Sequence, residues 1–118
     1  MIISFTGLNG QDNRTTATRV ADLLARMPVH NNNELVRQMT QMTEMGKEGR
    51  SIICSMISAP GTTDDTPARF AVESYSRYLS DNGNEKQALA WEEECIEAIK
   101  SLDNPDIVSF FISSWWRY

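Results

Sequence analysis

The sequence predicts an all-α protein, an α-α superhelix of about six antiparallel helices arranged as helical hairpins. Two observations carry the prediction. Apolar residues recur with a spacing of three or four positions in six successive segments, as they do along a helix with one buried face. One of these apolar patterns also returns at a constant offset of 36 residues, which is typical of stacked helical repeats.

The size of the chain corresponds to one domain. Its 118 residues, with 41% hydrophobic and 23% charged side chains, suffice for a modest core. We assign residues 1–13 to an N-terminal arm or linker and residues 14–118 to the helical-repeat domain. That domain is either complete or a fragment of a longer solenoid.

Charge is unevenly divided along the chain. The net charge is −5, of which residues 1–63 contribute +1 and residues 64–118 contribute −6. An acidic half repels phosphate groups, so the sequence predicts no nucleic-acid partner. No apolar run approaches the ~18 residues of a membrane span, and the first ten residues lack the basic start of a signal peptide. A cytoplasmic location is the default, and an extracytoplasmic one stays open if a signal peptide has been removed.

The first predicted helix precedes Pro28, which would end it. Asp12 or Asn13 would cap its start. Its apolar stripe consists of Ala17, Val20, Ala21, Leu24 and Met27. A polar connector follows, in which Asn31 and Glu34 have the spacing of a capping box for the next helix.

The stretch from Asn32 to Ala59 predicts the central helical hairpin. Its first helix presents Leu35, Val36, Met39 and Met42 on one side, and its second presents Ile52, Ile53, Met56 and Ile57. Gly46 and Gly49 enclose two charged residues between these segments. Such a segment ends one helix and begins the next, so we expect a connecting turn there and two stripes that face each other.

Three further helices complete the predicted array. The fourth carries Ala68, Ala71, Val72, Tyr75, Tyr78 and Leu79 on one face, and the fifth carries Ala88, Trp91, Cys95, Ile96, Ile99 and Leu102. Asn84 and Gln87 have capping-box spacing at the start of the fifth helix. Pro105 opens the sixth, where a proline fits the first helical position.

The two cysteines, Cys54 and Cys95, each fall inside a predicted helix among apolar residues. Free cysteine is among the most buried residue types, so we expect two buried thiols. A disulfide between them requires the two helices to pack side by side.

The repeat is clearest in the first helix of each hairpin. Leu35, Val36, Met39 and Met42 correspond at an offset of 36 to Ala71, Val72, Tyr75 and Tyr78, and at a second offset of 36 to Ile107, Val108, Phe111 and Ser114. Only Ser114 in this set is neither apolar nor aromatic. The second helices match at a different offset, 43, which pairs Ile52, Ile53 and Met56 with Cys95, Ile96 and Ile99.

Three segments carry a resemblance to a known family. NNELVRQMTQMTEMGKEGRSIICSMI, DDTPARFAVESYSRYL and DNPDIVSFFISSW resemble units of the HEAT and armadillo-like class of α-helical repeats, in which an Asp/Asn-Pro-rich turn opens the first helix of each pair. The resemblance implies a right-handed superhelix that binds other proteins. It implies no catalytic residue and no cofactor.

The final helix is apolar around most of its circumference, with Phe110, Trp115, Trp116 and Tyr118 among its aromatic residues. A helix of this kind needs contacts on two sides, and the preceding hairpin covers one. We expect these four residues to form an association surface, either for further repeats of the same chain or for a second copy. The alternative is that the N-terminal arm or a bent last turn covers them.

One carboxylate, Glu92, falls inside the predicted apolar arc of the fifth helix, whereas Glu93, Glu94 and Glu97 fall outside it. A buried carboxylate needs a cationic partner. Arg69 and Arg77 on the preceding helix are the available cations, so we predict a structural ion pair. The alternatives are a functional acid and simple exposure of Glu92 at the edge of the arc.

Catalytic and metal-binding patterns are not evident in this sequence. The single histidine, His30, lies in a polar connector without a cysteine or carboxylate at ligand spacing, and the cysteines form no CxxC pair. We predict no enzyme activity, no cofactor and no metal site.

Protein binding is therefore the predicted function, in a non-enzymatic scaffold. Its predicted contact surface consists of Arg37, Gln41, Glu44, Phe70, Glu73 and Arg77. Phe70 is equally consistent with packing between repeats. The alternative function is a helical accessory or regulatory domain within a larger, enzyme-containing polypeptide.

Overall fold

The structure, a computed structural model, describes residues 15–58 and 64–116, without the side chains of Trp115 and Trp116. It contains six helices: α1 (Thr16–Leu24), α2 (Asn32–Glu44), α3 (Gly46–Ser55), α4 (Thr66–Asn82), α5 (Glu85–Leu102) and α6 (Pro105–Trp116). No strand occurs among the described residues. The predicted all-α class with about six helices is confirmed. The proposed arm, residues 1–13, lies outside the described residues.

Side-chain caps define where several helices begin. Asn31 Oδ1 accepts a hydrogen bond from the Glu34 amide at 3.0 Å, and Asn84 forms the predicted reciprocal capping box with Gln87. At α1 the cap is Thr15, whose side chain accepts from the Thr18 amide. Asp12 and Asn13, the predicted caps of α1, lie outside the described residues.

The buried face of α1 differs from the predicted one. Val20 and Leu23 are buried, whereas Ala17 and Ala21 are exposed. The helix turns its larger side chains inward because burial of a leucine gains more free energy than burial of an alanine. It also ends at Leu24, so the buried Met27 belongs to the following connector.

The junction between α2 and α3 is shorter than predicted. The expected turn, Gly46 to Gly49, forms the first turn of α3, and Met45 is the one residue between the two helices. Gly46 has φ of +79°, a left-handed conformation that glycine adopts without steric cost. This geometry brings Arg50, which follows directly, into the interior of the protein.

Contacts between helices define two layers. In one layer α1 contacts α3 and α3 contacts α5; in the other, α2 contacts α4 and α4 contacts α6. Met39, Tyr75 and Phe111, which the offset of 36 makes equivalent, are each at most 2% exposed in α2, α4 and α6. These positions of the repeated pattern therefore correspond to the core of one layer.

The predicted offset of the other layer is wrong. It made Ile96 equivalent to the buried Ile53, but Ile96 is 44% exposed. An offset of 41 fits instead, because it pairs Ile53 with Glu94 and Cys54 with Cys95, all of which are buried. The inward face of α5 is thus turned away from Ile96 and toward Glu94.

Arg50 and Glu94 form an ion pair in the interior, between α3 and α5. Arg50 Nε lies 2.7 Å from Glu94 Oε1, and Arg50 Nη2 lies 2.9 Å from Glu94 Oε2. Arg50 Nη1 donates to the backbone carbonyls of Met42 and Thr43 at 2.9 and 3.1 Å. The bond to Glu94 raises the pKa of Arg50, although burial acts in the opposite direction. One guanidinium therefore joins α3 to α5 and to the last turn of α2.

Aromatic side chains extend this connection to α4. Tyr75 lies under the Arg50 guanidinium, and its hydroxyl is 2.8 Å from Thr43 Oγ1. The Tyr75 and Trp91 rings meet edge to face with centroids 5.0 Å apart, and Trp91 Nε1 donates to Ser76 Oγ at 2.9 Å. The buried polar groups are thereby hydrogen-bonded, as a low-dielectric interior requires.

The prediction of a buried Glu92 is wrong. Glu92 is exposed, and the buried carboxylate of α5 is Glu94. The predicted apolar face of α5 was centred on Ile96 and Ile99. This choice placed Glu94 outside the predicted face. Of the two predicted partners, Arg69 is bonded to Asp65 at 2.9 Å, and Arg77 is exposed.

Removal of either partner from the Arg50–Glu94 pair should destabilise the fold strongly. We expect Arg50→Met and Glu94→Leu each to lower the free energy of unfolding by about 3–5 kcal/mol, because each leaves an uncompensated charge or orphaned donors and acceptors inside. The double variant should lower the free energy of unfolding by less than the sum of the losses in the two single variants. Urea denaturation followed by circular dichroism measures all three.

The matched control is Glu92→Leu, the same substitution two residues away at an exposed position. It should change the free energy of unfolding by no more than about 0.5 kcal/mol. A larger loss at position 92 than at position 94 would show that the two carboxylates have been assigned to the wrong environments.

Alkaline pH should weaken the fold through Tyr75. Burial raises the pKa of Tyr75 above the ordinary value of about 10, while the Thr43 hydroxyl acts in the opposite direction. Because the folded protein holds this proton more tightly than the unfolded chain, the associated stability is complete below about pH 10 and falls as the pH rises further. Urea midpoints measured across this range should decline less steeply in Tyr75→Phe. Parallel declines in the two proteins would contradict the assignment.

Candidate functional site

A groove between α1 and α2 is lined mainly by polar side chains. Its volume is about 280 Å³. Leu23 and Met45 supply its buried apolar residues. The polar lining consists of Arg19, Asp22, Arg26, Glu34, Arg37, Gln38 and Gln41. We call this recess the α1–α2 groove.

Three arginines and two carboxylates give the α1–α2 groove a positive balance. Glu34 is already engaged, since it accepts hydrogen bonds from Arg37 and, at 2.6 Å, from Gln38 Nε2. Arg26 makes no ion pair with any described residue. The groove therefore presents at least the Arg26 guanidinium, in a protein whose net charge is −5.

The structure separates the residues of the predicted contact surface. Arg37 and Gln41 line the α1–α2 groove, whereas Arg77 lines a smaller recess of about 100 Å³ between α2 and α4. That second recess includes Val36, which is 41% exposed although it was predicted to face inward. Glu44 is exposed near the end of α2. Glu73 is half-buried on α4.

Phe70 is mainly a packing residue and contributes less to the surface. It is half-buried against the core. Its ring lies edge to face with that of His30, with centroids 6.4 Å apart. His30 itself is exposed, as expected for a connector residue. Of the two interpretations of Phe70, packing between helices agrees with its position.

Within the predicted association surface, one aromatic residue is described in full. The Phe110 ring is half-buried, and the Arg69 guanidinium lies over it at 4.7 Å from the ring centroid. The side chains of Trp115 and Trp116, and the whole of Tyr118, lie outside the described residues. Self-association through α6 stays a prediction.

Arg69 connects α6 to the beginning of α4. It donates to Asp65 and, at 2.7 Å, to the Ser58 carbonyl. Burial acts to raise the pKa of Asp65, but hydrogen bonds from the Ser58 amide and from Arg69 outweigh it and lower that pKa. These contacts account for the position of Arg69 over the Phe110 ring.

Two arginines of the groove were not predicted from the sequence. Arg19 is half-buried on α1, Arg26 is exposed in the connector just after α1, and both line the α1–α2 groove. Their spacing of seven residues was a usable signal, because the predicted first helix extended to Pro28 and would have placed both on one side. The spacing alone did not indicate which other helix would lie opposite.

Metal-binding and membrane-spanning features were sought over the described residues. In this part of the chain no three His, Cys, Asp or Glu side chains are grouped so that they could hold a metal ion. None of the described helices has the length and hydropathy to cross a bilayer. We compared the chain with protein-family models, with curated proteins and with solved structures, and none of the three comparisons found a match.

Proposed function

We propose that this chain is a non-enzymatic protein-binding scaffold built from HEAT-like helical repeats, and that the α1–α2 groove binds an acidic segment of its partner. The observation that carries the proposal is the convergence of Arg19, Arg26 and Arg37 on one groove in an otherwise acidic protein.

The chemistry of the groove favours a carboxylate over other ligands. A guanidinium presents paired donors whose geometry matches the two oxygens of a carboxylate. Leu23 and Met45 lie beside these donors and suit the aliphatic part of a bound side chain. The acidic residues of α5 lie in another part of the protein, and at physiological salt charges more than about 8 Å apart are largely screened. Local charge therefore decides what the groove attracts.

The arrangement of helices supports a scaffold. Helices contact mainly their neighbours along the chain and the next helix of the same layer, as they do in stacked repeats. Such arrays bind partners along grooves between adjacent helices, and α1 and α2 form such a groove here. A volume of about 280 Å³ accommodates one or two side chains of an extended segment.

Selection from a random peptide library displayed on phage tests this function. The folded chain should enrich peptides that contain Asp or Glu beside an aliphatic residue. Arg26→Glu and Arg37→Glu should each weaken binding of a selected peptide about tenfold or more, since each removes a charge-assisted bond and adds repulsion. Isothermal titration calorimetry measures the affinities.

The matched control is Lys86→Glu, which makes the same charge change at an exposed position of α5 outside the groove. It should leave the affinity within about twofold of the original, because a distant surface charge is screened. Selected peptides without a carboxylate, or equal losses from Lys86→Glu and Arg37→Glu, would overturn the assignment of the groove.

A further inference from the structure

The two cysteines face each other across the contact between α3 and α5. Cys54 and Cys95 occupy equivalent positions of these helices at the offset of 41, and each is 1% exposed. The two side chains interact with each other, and both cysteines are free thiols. The condition that a disulfide requires, two helices packed side by side, is therefore met, and both thiols are buried.

We propose that Cys54 and Cys95 form a redox-active dithiol, which converts to an intramolecular disulfide in the folded protein by exchange with a low-molecular-weight disulfide such as oxidised glutathione. No other cysteine is present in the sequence, so the product is defined. This site is separate from the α1–α2 groove and does not depend on the function proposed for it.

The exchange takes place in two steps. The thiolate of Cys54 attacks one sulfur of oxidised glutathione, which forms a mixed disulfide and releases one glutathione thiolate. The thiolate of Cys95 then attacks the Cys54 sulfur of that mixed disulfide, which forms the Cys54–Cys95 bond and releases the second glutathione. Two electrons pass from the protein dithiol to the reagent. The two protons from the protein thiols end on the two glutathione molecules.

Access to the dithiol comes from a recess of about 220 Å³ between α3 and α5. Cys54 is among its lining residues and Cys95 is not, which is why the first attack is assigned to Cys54. The other lining residues include the small side chains Ser51, Ser55, Ala98 and Ser101. Small residues at this position leave room for a reagent beside Cys54.

The same surroundings make the exchange slow. The interaction with Cys95, followed by burial, raises the pKa of Cys54 well above its ordinary range. Because the thiolate is the reactive form, we expect exchange to be slower than that of an exposed cysteine and to accelerate as the pH rises. A disulfide at this position closes the chain around α4 and thereby restricts the unfolded state.

The test is incubation of the folded full-length chain with oxidised glutathione at mildly alkaline pH, followed by acid quenching and mass spectrometry. We expect a monomer that has lost two hydrogens and yields a Cys54–Cys95 peptide after digestion. Its melting temperature should rise by about 5–15 °C, because the bond closes a long segment of the chain and restricts the unfolded state. The same reaction in urea shows that the reagent is active.

Single variants identify the order of attack. Cys95→Ala should accumulate the mixed disulfide at Cys54, whereas Cys54→Ala should react more slowly, because Cys95 does not line the recess. Three results would overturn the proposal: both thiols remain reduced overnight in the folded chain, the folded chain stops at a mixed disulfide, or the internal bond lowers the melting temperature.

Discussion

The ion pair between Arg50 and Glu94 is the interaction on which the arrangement of the other helices depends. Its guanidinium uses all three nitrogens, two toward a carboxylate of α5 and one toward the last carbonyls of α2. Removing these groups from water is costly, and the cost is offset only because each has a partner at close range. A buried arginine of this kind fixes three helices relative to one another. Apolar contacts alone have less directional preference.

The layered packing explains where a binding groove can form. Consecutive helices from α2 onward contact one another, and the helices of each layer contact in succession. Between α1 and α2, by contrast, a groove remains. No residue of the acidic α5 lines that groove, so the arginines around it set the local potential. The proposed binding function thus rests on the groove between these two helices and on the residues that border it.

Much of the fold could be predicted from the sequence. The offset of 36 identified Met39, Tyr75 and Phe111 as equivalent core residues, and the cap at Asn84 placed the start of α5 correctly. These features are local or periodic, so spacing alone reveals them.

The assignment of Glu92 failed because an apolar arc was centred on Ile96, whose exposure depends on tertiary contacts. Arg50 was missed for a related reason: a charged residue after a glycine-rich segment resembles a loop until the partner carboxylate is located. The candidate groove was only half predicted, through Arg37 and Gln41 on α2. Its other wall comes from α1 and the connector after it, and the spacing of apolar residues did not indicate that these would lie opposite Arg37 and Gln41.

The one-residue junction at Met45 has a consequence for how the length of this chain can vary. Each residue added within a helix turns everything beyond it by about 100°. An insertion or deletion between Met45 and Arg50 would therefore rotate the guanidinium out of reach of Glu94 and of the α2 carbonyls, even if every side chain were retained. Related sequences that preserve this pair should accordingly tolerate substitutions in Lys47 and Glu48, which are exposed, while keeping the number of residues between α2 and Arg50 constant.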